Sequence, residues 1–197
     1  MFARVIRRAA CVVACVGVLG ATAAMAQVGE YQCNPAQCWE ETYRNHEIEG
    51  IEFTTPEGWR YFNYPMPPKP PGLSNVRIVK GDVIVAITGM PNLDERQITE
   101  EYLKGLLEKA TAQHVDVSAE RAFDYKSLTR DGIVGGYVSF SAKAGARPFQ
   151  VLSGPPFAAV TTFILSNQRT VLSVSVVAAF FQDEDYAAAL EMLRNAR

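Results

Sequence analysis

A chain of 197 residues with 21 acidic and 19 basic side chains carries a formal charge of −2 and has the length of one domain with a sizeable core. Its first 26 residues hold three arginines and no acid, so without them the charge is −5. Such a balance excludes the broad basic surface that a nucleic-acid or anionic-membrane partner demands.

Those first residues read as an export signal, 1–26. Arg4, Arg7 and Arg8 form a positive n-region, Ala9 to Leu19 a short apolar run, and Ala24-Met25-Ala26 a small-residue cleavage site. The apolar run is about half of the roughly 20 residues that a membrane span requires. No cysteine follows a suitable cleavage site, which speaks against a lipid anchor. The mature chain is expected to lack a transmembrane segment and to be periplasmic or secreted.

Residues 27–47 are polar and read as an N-terminal extension, with one α+β domain over 48–197. Cys33 and Cys38 are the two cysteines left after the leader, and export predicts that they are oxidised. Asn34-Pro35 between them favours a turn that can bring them to bridging distance. Closing so small a loop contributes about 2 kcal/mol in the chain-entropy model. A zinc site would need two more ligands, and a redox catalyst the C-x-x-C spacing in a βαβ setting. The pair is expected to be a structural disulfide.

Residues 50–64, "GIEFTTPEGWRYFNY", give a short strand, a Pro56-Glu57-Gly58 turn and an aromatic run. Five prolines crowd 65–71, where neither helix nor inner strand can continue. Val76–Val79 and Val83–Thr88 flank Lys80-Gly81-Asp82 as a hairpin, and the second run is apolar enough to be central and covered on both faces. Over 94–115, Ile98, Tyr102, Leu103, Leu106, Leu107 and Ala110 fall on one helical stripe. That helix has two candidate caps, Asp94 with Gln97, or Thr99 ahead of Glu100-Glu101.

Strand patterns resume at 121–130, 132–143, 157–166 and 170–180, separated by turn residues. The last element, within 182–197, is a short helix with acids at its start, arginines at its end, and a stripe of Tyr186, Leu190 and Leu193. The order β-β-β-α-β-β-β-β-α, with mostly short connections, predicts an α+β fold. It consists of an antiparallel sheet of about six to seven strands with two packed helices.

Chemistry is sparse in this sequence. There is no phosphate-binding glycine motif, and "VLSGPP" around Ser153 is not a nucleophile elbow. "GIVGGYV" sits in a strand pattern, where glycines mark a bulge or a close approach. His46 and His114 are the two histidines. A hydrolase built on His114 would need a Ser or Asp beside its ring in a cleft. The acids at Glu40-Glu41, Glu100-Glu101 and Asp183-Glu184-Asp185 read as solvated, largely helix-capping groups, without the spacing of a calcium loop. No catalytic residue, cofactor or metal ligand is assigned.

The most suggestive stretch is "WRYFNYPMPPKPPG". Trp59 and Tyr61 would point to one strand face, Phe62 and Tyr64 to the other, and one core does not need both. Rigid exposed aromatics beside a stiff loop lose little entropy on docking. Tyr61, Phe62, Tyr64, Met66, Pro67, Pro68 and Lys69 are therefore the expected partner contacts.

"IEFTTPEGW", with Pro56, Gly58 and Trp59, followed by hairpin, helix, meander and closing helix over about 48–195, resembles the PsbP/Mog1-like fold. DcrB-related bacterial secreted proteins share that layout. The resemblance implies an accessory or adaptor role and carries no active site to transfer. Together these observations predict an exported non-catalytic module that docks a protein partner in the cell envelope, as a chaperone, inhibitor or complex subunit. The alternative is a carrier of a small apolar ligand held between helices and sheet.

Overall fold

The computed structural model describes residues 39–41, 44–63, 74–93, 96–130, 132–143, 157–179 and 183–197. Residues 1–38, with Cys33 and Cys38, and the proline-rich loop from Tyr64 to residue 73 lie outside them. No helix among the described residues is long and apolar enough to cross a membrane.

The chain runs β1 (Trp39–Glu41), β2 (Asn45–Ile48), β3 (Ile51–Thr54), β4 (Arg60–Asn63), β5 (Ser74–Lys80), β6 (Val83–Pro91) and α1 (Glu100–Val115). It continues through β7 (Lys126–Ser127), β8 (Val134–Ser141), β9 (Ala159–Ser166), β10 (Thr170–Ala178) and α2 (Glu184–Arg194). Eight strands form one sheet in the order β1-β4-β5-β6-β10-β9-β8-β7, and β2 with β3 forms a separate hairpin. Every pairing is antiparallel. The fold is α+β, as the element pattern predicts; β1 and β7, of three and two residues, extend the main sheet beyond six or seven strands.

The period of two in the long strands sends alternate side chains to opposite faces, and both faces are covered. On one, Val83, Val85 and Ile87 of β6 and Val174 and Val176 of β10 meet Tyr186, Met192 and Leu193 of α2. Ile48, Ile51 and Phe53 of the small hairpin complete that core. On the other, Ile84, Val138, Phe140 and Ile164 meet Ile98, Leu103 and Leu107 of α1 and the residues before it. Burying a Leu such as Leu103 or Leu107, at 0% and 1% exposed, contributes about 2 kcal/mol.

This double covering corrects the expectation for the aromatic run. Tyr61 (4% exposed) faces the α2 core and Phe62 (0%) faces the α1 core. Two cores, rather than one, absorb rings on opposite strand faces, and Trp59 packs against the first.

Of the two candidate caps for α1, Thr99 is used: its Oγ1 accepts from Tyr102 N at 3.2 Å. The segment 121–130 shrinks to the two-residue β7: Arg121 takes a φ of 50°, and Phe123 and Tyr125 pack on the α1 core ahead of the strand pairing at Lys126–Ser127. The adjacent glycines 135 and 136 are close-approach positions. A Cβ on Gly135 would collide with the Ile164 carbonyl, and one on Gly136 with the Tyr125 ring.

Candidate functional site

The small hairpin was not foreseen by the pattern of 27–48. In β2 the buried residues are His46 and Ile48, between exposed Asn45 and Glu47. With a histidine in an apolar position, the alternation is hidden in a polar stretch. Glu49 and Gly50 connect β2 to β3 with φ of 52° and 78°, the two positive angles of a type I′ turn. Glu49 anchors this tip to the main sheet: its main-chain oxygen accepts from Asn167 Nδ2 at 2.9 Å and its Oε1 from Ser74 Oγ at 2.7 Å.

Beneath the hairpin, the His46 ring lies parallel to Tyr61, 3.7 Å between centroids, with Phe53 at 5.5 Å. Thr55 Oγ1 donates to the Arg44 carbonyl at 2.9 Å, so its bond to His46 Nε2 at 2.7 Å is one in which the ring N–H donates. That fixes the proton of neutral His46 on Nε2.

Beside the hairpin runs α2. Asp183 caps it, Oδ1 accepting from Asp185 N at 2.8 Å, and Lys80 Nζ pairs with Asp185 at 2.8 Å. Tyr186, Ala189, Met192 and Leu193 face inward. Tyr186 OH meets Thr161 Oγ1 at 2.5 Å, and Thr161 Oγ1 meets Ser139 Oγ at 2.8 Å, a buried hydroxyl chain under the helix. Burial pushes the Tyr186 phenol up to about 12.

Between β3 and α2 lies an open groove of about 860 Å³. Glu47, Glu52 and Thr54 line its hairpin side, Ala188, Glu191 and Asn195 its helix side, and Arg197 one end. Its lining is more polar than apolar. Arg197 and Glu52 exchange both main-chain bonds, at 2.7 and 2.9 Å, so Arg197 forms a single antiparallel rung on the outer edge of β3. Arg130 Nη2 holds the preceding carbonyl, that of Ala196, at 2.8 Å.

Other candidates from the sequence fall elsewhere. His114 lies on α1, 5.7 Å from the Phe140 ring, on the sheet face opposite the groove. Burial lowers its pKa below the ordinary imidazole value. Glu100 sits at the start of α1 and accepts from Thr129 Oγ1 at 2.8 Å, which holds its carboxyl below the usual range. Glu40 makes a two-pronged pair with Arg60 at 2.9 and 3.0 Å, with the same consequence. Among the described residues, no group of three His, Cys, Asp or Glu side chains is placed to hold a metal ion. Of the expected partner contacts, Tyr61 and Phe62 are core residues, and Tyr64, Met66, Pro67, Pro68 and Lys69 lie outside the described residues, as do Cys33 and Cys38.

No family model matches this chain, and no curated protein does. Among solved structures, it is similar to the solution structure of cyanobacterial PsbP (CyanoP) from Synechocystis sp. PCC 6803. The TM-score is 0.42 at 12% identity, over 87% of this chain and 94% of that one.

Proposed function

We propose that this chain is an exported, non-catalytic accessory module that docks a protein partner in the cell envelope. The observation that supports this reading is the open groove between β3 and α2. A carrier of a small apolar ligand calls for an enclosed, apolar-lined cavity, whereas this groove is open and mostly polar. A strand edge beside a helix offers main-chain groups and side chains to an incoming segment together. The proline-rich stretch, from Tyr64 through Lys69, is the second element of the proposed surface; Tyr61 and Phe62, being core residues, do not touch the partner.

The test is a pull-down from the native envelope with three proteins. These are the wild type, a variant with Tyr64 and Met66 to Pro71 replaced by Gly and Ser, and the double variant Glu47→Gln, Glu191→Gln. A partner held by wild type and lost by a folded variant supports docking and locates the surface. If no protein is held and an apolar compound extracts from the purified chain, the carrier reading replaces it.

A further inference from the structure

We propose that the groove receives an extended, Lys- or Arg-bearing segment of the partner, which continues along β3, at Thr54, the main-chain pairing that Arg197 begins at Glu52. This rests on the docking reading above and gives the partner its chemistry.

The first observation is the strand edge. In an antiparallel hairpin, alternate residues direct N–H and C=O to opposite sides. Glu52 uses its outward pair on Arg197, whereas Thr55 N bonds inward to the Arg44 carbonyl at 2.8 Å. Thr54 therefore shares the outward side with Glu52, and it lines the groove. Among the described residues, no main chain continues the pairing at Thr54. The edge is started by the protein's own chain and left open one rung further on.

The second observation is charge. Glu47 and Glu52 are register partners across the hairpin, both exposed. Because Glu52 bonds outward, the two form a non-hydrogen-bonded pair, the closer kind, and like charges directly opposite each other are unfavourable. Glu191 lines the same groove from α2. None of the three makes an ion pair among the described residues, and Arg197, although adjacent, pairs with Glu52 through its main chain only. Among the described residues, no ion pair offsets these two carboxylates at opposite register positions. A cationic side chain between them would relieve the repulsion and be recognised by it, while an acidic segment would be rejected.

The probe is a fluorescein-labelled, acetylated and amidated hexapeptide, Arg-Thr-Arg-Val-Lys-Thr, with a control carrying Glu at each cationic position. Both are titrated into the whole protein by fluorescence polarisation at low and high salt. The basic peptide should bind, weaken with salt, and lose about tenfold in affinity to the triple variant Glu47→Gln, Glu52→Gln, Glu191→Gln, each rim charge contributing a modest share. Amide exchange at Thr54 should slow in the complex. Because these substitutions sit on an exposed face, the variant should keep its far-UV spectrum and melting temperature. Equal binding of the acidic control, unchanged affinity of a folded triple variant, or an unprotected Thr54 amide would each overturn the proposal. If the basic peptide does not bind while wild type still holds an envelope partner, the groove assignment falls and docking stands; if neither binds, both fall.

Discussion

Replacing Tyr186 by Phe tests the buried hydroxyl chain and gives an effect that reverses with pH. The substitution keeps the ring, which is 3% exposed, and removes the hydroxyl that meets Thr161 Oγ1. Thr161 keeps Ser139 as a partner, so no oxygen is orphaned. At neutral pH the loss should be that of one buried hydrogen bond, about 1 kcal/mol. The alkaline limb carries the second half of the prediction. The folded phenol titrates near 12 and the unfolded one near 10, the folded value being raised by burial. Its contribution is therefore fully present below pH 10 and is lost as pH rises through 12, because the folded state holds a proton that the unfolded state has released. A hundredfold difference in proton affinity corresponds to about 3 kcal/mol. Wild type should thus lead Y186F by about 1 kcal/mol at pH 8 and trail it by about 1 kcal/mol near pH 12, where the folded phenol is half titrated. Urea unfolding of the two proteins side by side at pH 8, 10, 11 and 12, followed by circular dichroism, measures the difference and cancels what other groups contribute equally. A difference that stays constant across this range would refute the reasoning, since it would mean that Tyr186 ionises no less readily in the folded protein.

Two glycines should respond oppositely to alanine. Gly135→Ala places a methyl group on the Ile164 carbonyl and should cost about 3 kcal/mol by forcing β8 from β9, whereas Gly105→Ala, within α1 and with nothing near the new carbon, should stabilise by about 0.5–1 kcal/mol; thermal melts of both variants check the pair. Gln168 spans from the β9–β10 turn to the strand-like segment before α1, its Oε1 accepting from Ile98 N and its Nε2 donating to Ile98 O, both at 2.9 Å. Gln168→Ala should cost about 2 kcal/mol and accelerate amide exchange at Ile98 before that of the α1 interior.

The long elements were legible because their signals are local. In β6, β10 and α1 the apolar period alone sets the structure, and β6 sits in the sheet centre beside β10, as its nearly continuous apolar run predicts. For the glycine pair at 135–136 the strand pattern left a bulge or a close approach, and the structure shows the close approach. What escaped was set by tertiary contact. His46 behaves as a core residue because Tyr61 stacks on it, and Arg197 becomes strand-like because Glu52 pairs with it. The groove residues come from β2, β3 and the end of α2, so their meeting has no trace in sequence spacing. Glu47 and Glu52 are five residues apart in the chain, and only the turn register places them opposite each other.

The strand order has a consequence for how the protein comes to be folded at all. Strands β4 to β6 are consecutive neighbours, as are β7 to β10, so each half of the sheet pairs strands that follow one another along the chain. The seam between the halves pairs Val83 with Ala178 and Pro91 with Thr170, residues far apart along the chain. Such distant pairing adds loop-closure entropy and slows folding towards the millisecond-to-second range. A chain lacking its last thirty or so residues would present β6 as an apolar strand edge with no neighbour, the kind of surface that aggregates. The seam therefore acts as a completion signal: the central pairing of the sheet cannot form until almost all of the polypeptide is present.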